Sequence, residues 1–380
     1  MRNQDNNHAG MLAHQEEDAE HWLADTRRRI RAAADEGRRL MIEGSGSRQD
    51  FAGVPQGERL SLRPYRGIVH YEPDDLVITV RAGTPLADVQ QGLAQHGQML
   101  GFEPPLRPGA TVGGAVALGW SGPRRPFAGA LRDHLLGVRM LDGEGRLLRF
   151  GGQVVKNVAG FDVARLMAGS LGVLGPLLEV SLRVLPRPSV ERSAVLAATP
   201  AQALQLMQAL PTGPGLLTAA AHVQDRLYLR SAGSLACVQA FLARQGGQCM
   251  EPDAAQAFWS AFTDQTHACF TPPTDGLRLW RISLRPGAAV LPSELAVPCA
   301  IDWAGALRWV WAPASAAGGL VAWARAHGGH ATLWAHASSG ERHGGVFQAL
   351  PAPVMRLHQR LKQVFDPRGV FNVGRMYPQF

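Results

Sequence analysis

Lysine is nearly absent from this 380-residue chain: Lys156 and Lys362 are the only two, so the net charge of +7 is carried almost wholly by arginine. Apart from the run Arg27, Arg28, Arg29, the arginines stand singly or in pairs, with no basic stripe interleaved with aromatics. That pattern argues against a nucleic-acid partner and for a solvated basic surface or a face for an acidic protein. Cysteine is scarce too. Cys237, Cys249, Cys269 and Cys299 are widely spaced, and the missing C-x-x-C excludes a chain that holds its own iron–sulfur cluster or zinc through such a motif. Reduced thiols of a cytoplasmic protein are the expectation. The first residues contain no apolar core of a secretory signal. No run of 18 apolar residues occurs, and the longest uncharged stretch, Trp309 to Ala324, is broken by Pro313, Gly318 and Gly319, so no membrane span is expected.

What is there is a globular composition, 46% hydrophobic, long enough for two domains. Residues 1–15 read as a disordered tail. From Glu17 to Glu36, Trp22, Leu23, Thr26, Ile30 and Ala33 recur at helical spacing, with acids early and arginines late. Short strands follow at Leu40–Ile42, Gly67–Tyr71 and Leu76–Val80. A helix opens at Pro85 with Leu86, Val89 and Leu93 on one face. Leu135 to Phe150 reads as a hairpin turning at Asp142-Gly143, Gly160 to Ala168 as a short helix, and Leu177 to Leu185 as a strand. Pro186-Arg187-Pro188 marks a domain boundary. Beyond it, alternation in Arg226–Arg230 and Trp280–Arg285 gives half-buried strands of a second α+β domain. Val354, Leu357, Leu361 and Val364 line one side of a C-terminal helix stopped by Asp366-Pro367.

Three segments carry chemistry. Gly44-Ser45-Gly46-Ser47 follows a strand directly. It is either a plain turn or a nest of amides that cradles an anion such as a pyrophosphate. It lacks the third glycine of a dinucleotide fingerprint and the Walker lysine. Gly109 to Gly122 is built almost entirely from small residues, either to pack a tight loop or to lie flat against a large planar cofactor. Lys156 to Asp162 with Gly169 to Gly175 repeats the mixture of glycine and core residues.

In order and spacing these segments resemble the FAD-binding domain of the vanillyl-alcohol-oxidase (PCMH-type) flavoproteins. The first loop is similar to that family's pyrophosphate loop, Thr111 to Ala117 to its flavin-lining segment, and Gly160 to Gly175 to its adenine-side segment. The tail Phe365 to Arg375 resembles the family's terminal D-P-x-x-x-F-N-P-G-[KR]. Tyr71-Glu72-Pro73, Ala82 to Leu86, Gly97 to Leu100, Gly122 to Pro126 and Phe150 to Gly160 look like the smaller FAD-binding subunits of bacterial glycolate oxidases. That resemblance implies an α+β fold: a PCMH-type FAD-binding domain of two α+β subdomains over 16–186, and a ferredoxin-like α+β cap over 187–350. A helix and tail over 351–380 would return to the FAD domain.

The same resemblance implies FAD held by Gly44, Ser45, Gly46, Ser47, Pro105, Thr111, Val112, Gly113, Gly114, Ala117, Ser121, Gly122, Gly160, Asp162, Gly169, Gly172, Gly175, Asn372 and Arg375. It implies noncovalent attachment, because no histidine lies between Gly44 and Gly57. It also implies a second FAD-binding subunit and an iron–sulfur subunit as partners, a small hydroxy acid such as glycolate as substrate, and a cytoplasmic chain, with peripheral attachment at the inner membrane through the complex left open. The alternatives are a stand-alone dehydrogenase of another hydroxy acid or a sugar lactone, and a flavin-stabilised assembly subunit without turnover. The chain departs from the pattern at Gly119, where many members have asparagine, at Leu171, where many have an acid, and at Pro176, which offers no amide. Arg375, Lys156 and Arg124 are candidate cations beside the flavin or an anionic substrate. His327, His330, His336 and His343, with Glu341, are candidates for a base or a metal site, although no metal is expected and the catalytic residues stay unassigned.

Overall fold

A computed structural model describes residues 2–48, 51–152, 161–213, 215–335 and 346–380. Helix α1 spans Arg2–Asp35, so helical backbone replaces the tail expected over 1–15. Gly10 is the one strong helix breaker before Glu17, and the alanines, glutamates and glutamines around it favour continuation. The later turns of α1 bury Ile30 and Ala33 and stack Trp22 on Tyr65 with ring centroids 4.9 Å apart.

Strand β1 (Leu40–Glu43) pairs in parallel with β2 (Glu58–Ser61), an element of four residues whose charged start, Glu58-Arg59, hid it in the sequence. Then come β3 (Ile68–Glu72), β4 (Val77–Arg81) and α2 (Leu86–Gln95), which starts immediately after Pro85 and buries Leu86, Val89 and Leu93. Helix α3 (Val112–Leu118) lies inside the run of small residues. Strands β5 (Leu135–Leu141) and β6 (Leu147–Gly151) form the expected hairpin. A single turn, α4 (Val163–Leu166), precedes β7 (Leu177–Arg183). The antiparallel sheet runs in the order β3-β4-β7-β5-β6. Strand β4, between β3 and β7, is buried along its whole length, and α2 and α3 contribute to the core on the sheet's inner face.

The second sheet is built from β8 (Val190–Ala197), β9 (Leu217–Val223), β10 (Arg226–Gly233), β11 (Arg278–Ser283), β12 (Val297–Asp302), β13 (Leu307–Ala312) and β14 (His330–Ala335). Its order is β8-β10-β9-β12-β13-β11-β14, with the short strand Gln248–Cys249 outside β8. Helices α5 (Pro200–Ala209), α6 (Leu235–Gln245), α7 (Pro252–Thr263) and α8 (Ala317–Ala326) accompany it. Separate apolar clusters, one rich in tryptophan and phenylalanine and one in alanine and leucine, bury its side chains.

The two halves meet through buried charge. Glu103 accepts from Arg124 at 3.1 Å and from Arg230 of β10 at 2.6 Å, and Glu191 of β8 accepts from Arg124 at 2.7 Å. Burial alone would raise the Glu103 carboxyl; Arg230 and Arg124 outweigh it and hold it below its ordinary value. Helix α9 (Ala352–Phe365) then carries the chain back to the first half, where Phe371 bridges in parallel to Leu40.

Candidate functional site

Parts of all three segments singled out in the sequence converge on one cleft, concave and lined by apolar and small residues with a few polar groups, as small-molecule sites are. Gly44–Ser47 leaves the end of β1, with Gly46 at φ 76. The amides of Ser45 and Gly46 make no hydrogen bond with the described residues, which leaves them free for an anion in the cleft. A Cβ at Gly44 would stand 2.3 Å from Thr111 Oγ1, so this glycine lets the first loop touch the second.

The second segment is built differently from the first. Thr111 caps α3 by accepting from the Gly114 amide at 3.2 Å, Val112 donates to Thr84 at 3.0 Å, and Gly113 donates to Ala82 at 2.8 Å. The amides of Val112, Gly113 and Gly114 are thus consumed, and these residues offer shape rather than hydrogen bonds. Gly113 packs on the sheet, where a Cβ would come within 2.6 Å of Ala82 Cβ. At Gly114 a Cβ would meet only Thr111 Oγ1, at 3.1 Å, leaving room for a flat ligand.

The third segment hangs from α3. Leu171 donates to Ala117 at 2.9 Å and Gly169 to Val116 at 3.0 Å. Leu171, at φ 52, and Gly172, at φ 72, turn the backbone so that the Gly172 amide stays unused by the described residues. The left-handed Leu171 is pinned by Asn372, whose Nδ2 donates to the Leu171 carbonyl at 2.8 Å while its Oδ1 accepts from the Ile42 amide at 2.7 Å. Asn372 therefore clips the first loop's strand to the third loop with both ends of its amide.

Behind it, Lys362 Nζ donates to Val173 and Phe371 carbonyls at 2.8 Å each and to Asp366 at 2.5 Å. Burial pulls the Lys362 ammonium below its ordinary pKa, and Asp366 opposes that. Arg48, Arg107 and Arg375 line the cleft with Glu43 as an acidic counterweight. Arg375 donates to the Gly53 and Arg48 carbonyls at 2.9 and 3.0 Å. The Arg48 guanidinium lies 4.4 Å from the Trp120 ring centroid.

Of the residues expected at a cofactor, Gly44, Ser45, Gly46, Ser47, Pro105, Thr111, Gly113, Gly114, Ala117, Gly172, Gly175, Asn372 and Arg375 line this cleft. Others are not brought there. Val112 is in the hydrophobic core, as its place on the inner face of α3 requires. Gly169 backs Gly119, whose Cβ would strike it at 2.8 Å. Asp162 caps α4 through the Arg165 amide at 3.3 Å and pairs with the Arg165 guanidinium at 3.0 Å. Ser121 accepts from the Leu131 amide at 2.9 Å, and Ser121 and Gly122 line a neighbouring cavity instead. Gly160 and Lys156 lie outside the described residues, as do His336, Glu341 and His343. Arg124 is committed to Glu103 and Glu191. Pro176 accepts from the Leu141 amide at 3.1 Å behind the cleft wall. His327 bonds the Trp323 carbonyl at 2.8 Å, and no group of three metal-ligating side chains occurs among the described residues. The sequence reading missed Arg48, Arg107, Trp120 and Leu171; Arg48 directly follows the first loop and was the legible one.

The neighbouring cavity, about 370 Å³, shares Pro105 and Trp120 with the cleft and is closed on its far side by Arg281 of β11, Asp302 of β12 and Trp334 of β14. Arg281 lies over the Trp303 and Trp334 rings at 4.7 and 5.5 Å. Burial, with repulsion from Arg125, lowers it to about 10. Burial likewise pushes the Asp302 carboxyl up to about 7; Glu103 adds to this, while the Trp303 amide, Arg281 and Arg230 oppose it.

Free amides, arginines and a glycine-flattened wall together fit a large, flat, doubly anionic ligand. Residues 23–151 match the model of an FAD binding domain family. Over 344 residues the chain is 43% identical to glycolate oxidase subunit GlcE of Escherichia coli, covering 90% of this chain and 93% of that protein. The chain belongs to the FAD-binding glycolate oxidase subunits. Its cofactor is FAD, and it is an FAD-dependent oxidoreductase of the PCMH type. D-lactate dehydrogenase of Anaerostipes hadrus is 30% identical over 42% of this chain and 34% of its own length, and glycolate oxidase subunit GlcD of Bacillus subtilis is 27% identical over 40% and 33%. The fold also matches the structure of an alkyldihydroxyacetonephosphate synthase, with a TM-score of 0.62 at 12% identity, covering 91% of this chain and 74% of that one. Among the described residues, the lining of the cleft includes no histidine, cysteine or tyrosine. No described helix is long and apolar enough to cross a membrane.

Proposed function

We propose that this subunit carries a noncovalent FAD in a glycolate-oxidising complex, whose electrons leave toward an iron–sulfur partner. The observation that carries the reading is the pinned cleft together with near full-length similarity to a glycolate oxidase subunit. FAD, when bound, supplies the two-electron acceptor for a carbon–hydrogen bond next to a hydroxyl, and the protein supplies position and charge. The Ser45, Gly46 and Gly172 amides with Arg48, Arg107 and Arg375 would hold its anionic part. Gly114 gives its flat part room, and Trp120 stands at the passage to the neighbouring cavity.

That cavity supports a second reading, in which the chain itself meets a small hydroxy acid. There Arg281 holds the carboxylate and Asp302 accepts the hydroxyl proton. Dye reduction by glycolate and D-lactate, measured on the isolated FAD-loaded chain and on its purified complex, separates the two. Turnover only in the complex is the expected result. Robust glycolate turnover by the isolated chain, abolished by Arg281→Gln, would install the second reading in its place.

A further inference from the structure

Helix α9 is docked by an unexpected side. Its sequence places Val354, Leu357, Leu361 and Val364 on one stripe, spaced three, four and three residues apart, as in the seam of paired helices. A stripe of that kind ordinarily faces the core. Here the helix turns Lys362 and Phe365 inward, with Met355 and His358 half-buried beside them, while the apolar stripe lies to one side. Leu357 is 57% exposed and Val364 68%, and Val354 is exposed as well, while Leu361 is half-buried at the edge of the core. The inward ammonium is satisfied by Val173, Phe371 and Asp366, so this rotation is held by specific bonds.

The solvent side of the stripe is bordered by Arg356 and Arg360, and Ala352–Phe365 contains no acidic residue. A second copy of the chain would set arginine against arginine, on a molecule already at +7. A bilayer surface calls for a broad apolar face with large aromatic anchors; this stripe is one seam wide and carries only valine and leucine. We infer that α9 is a docking helix, and that its apolar stripe receives an amphipathic helix of a different chain, one with aspartate or glutamate along the edge that meets Arg356 and Arg360. This rests on the subunit reading above, but not on the cofactor or the substrate.

The test places a photoreactive benzophenone side chain at position 357, in place of Leu357, in the full-length protein purified with its co-assembled subunits. The adduct is then sequenced. The expected adduct is to a different polypeptide, on a segment with apolar residues at helical spacing and an acidic edge. An adduct to a second copy of this chain, no adduct in an intact complex, or co-sedimentation of the isolated chain with phosphatidylglycerol vesicles would each overturn the inference. Leu357→Glu combined with Arg360→Glu should weaken retention of the partner at least tenfold while FAD content stays at the wild-type level. Retention unchanged by that double substitution would also overturn it. Loss of FAD from the wild-type chain would strike the cofactor reading alone, so the two failures are distinguishable.

Discussion

Replacing Lys362 by methionine tests how the tail builds the FAD cleft. Methionine keeps most of the aliphatic stem and removes the ammonium, which holds two carbonyls at 2.8 Å and the Asp366 carboxylate at 2.5 Å. Asp366 is 2% exposed and keeps only the Val370 and Phe371 amides, at 2.9 and 2.8 Å. Breaking a buried ion pair from one side costs ~3–5 kcal/mol because the remaining charge is stranded. A protein of ordinary stability has ~5–15 kcal/mol in all, so Lys362→Met should shift the urea midpoint far down. Val173 follows the Leu171–Gly172 turn, and Phe371 precedes Asn372, so FAD titration should show affinity reduced tenfold or more. Adding Asp366→Asn should cost less than the sum of the single changes, because no charge is then left unpaired. A Lys362→Met protein within ~0.5 kcal/mol of wild type, a size typical of a surface change, and with unchanged FAD affinity, would refute the reasoning.

Other consequences follow from the same geometry. Acid precipitation should release intact FAD into the supernatant, and flavin retained on the pellet would contradict the noncovalent assignment. Gly114→Trp should fill the ligand's space and strip the protein of flavin. Tryptophan fluorescence and far-UV circular dichroism should report a second sheet still folded, since the side chain enters open cleft rather than core. Asp302 has a folded-state pKa of about 7 against an ordinary 3.8, so its neutral form is the one the fold favours. The stabilisation is present below about pH 4 and lost as the pH rises through 7, amounting to a few kcal/mol at ~1.36 kcal/mol per unit. Asp302→Asn should flatten that slope in urea midpoints measured from pH 4 to 8. An identical slope in the variant would place the titration elsewhere, with Glu103, Arg230 and Arg281 the charged neighbours to examine.

Much of this protein was legible in its sequence because local rules and tertiary structure agree there. Pro85 ahead of Leu86, Val89 and Leu93, the hairpin turning after Asp142, and the glycines after β1 each follow from backbone sterics or periodicity that no distant contact overrides. Parts of the glycine segments also come together around one cleft. What each does there depended on partners far away in the chain. Val112 and Gly113 read as residues that hold the cofactor, but their amides are taken by Thr84 and Ala82, and Asn372 read as a ligand residue until Ile42 and Leu171 used both ends of its side chain. Arg124 read as a cation for the flavin until Glu103 and Glu191 claimed it. Helix α9 shows the limit most plainly. Periodicity identified its apolar stripe, but which side faces the core was decided by a carboxylate and two carbonyls able to satisfy a buried lysine, and those groups meet only when the tail closes back on the third loop.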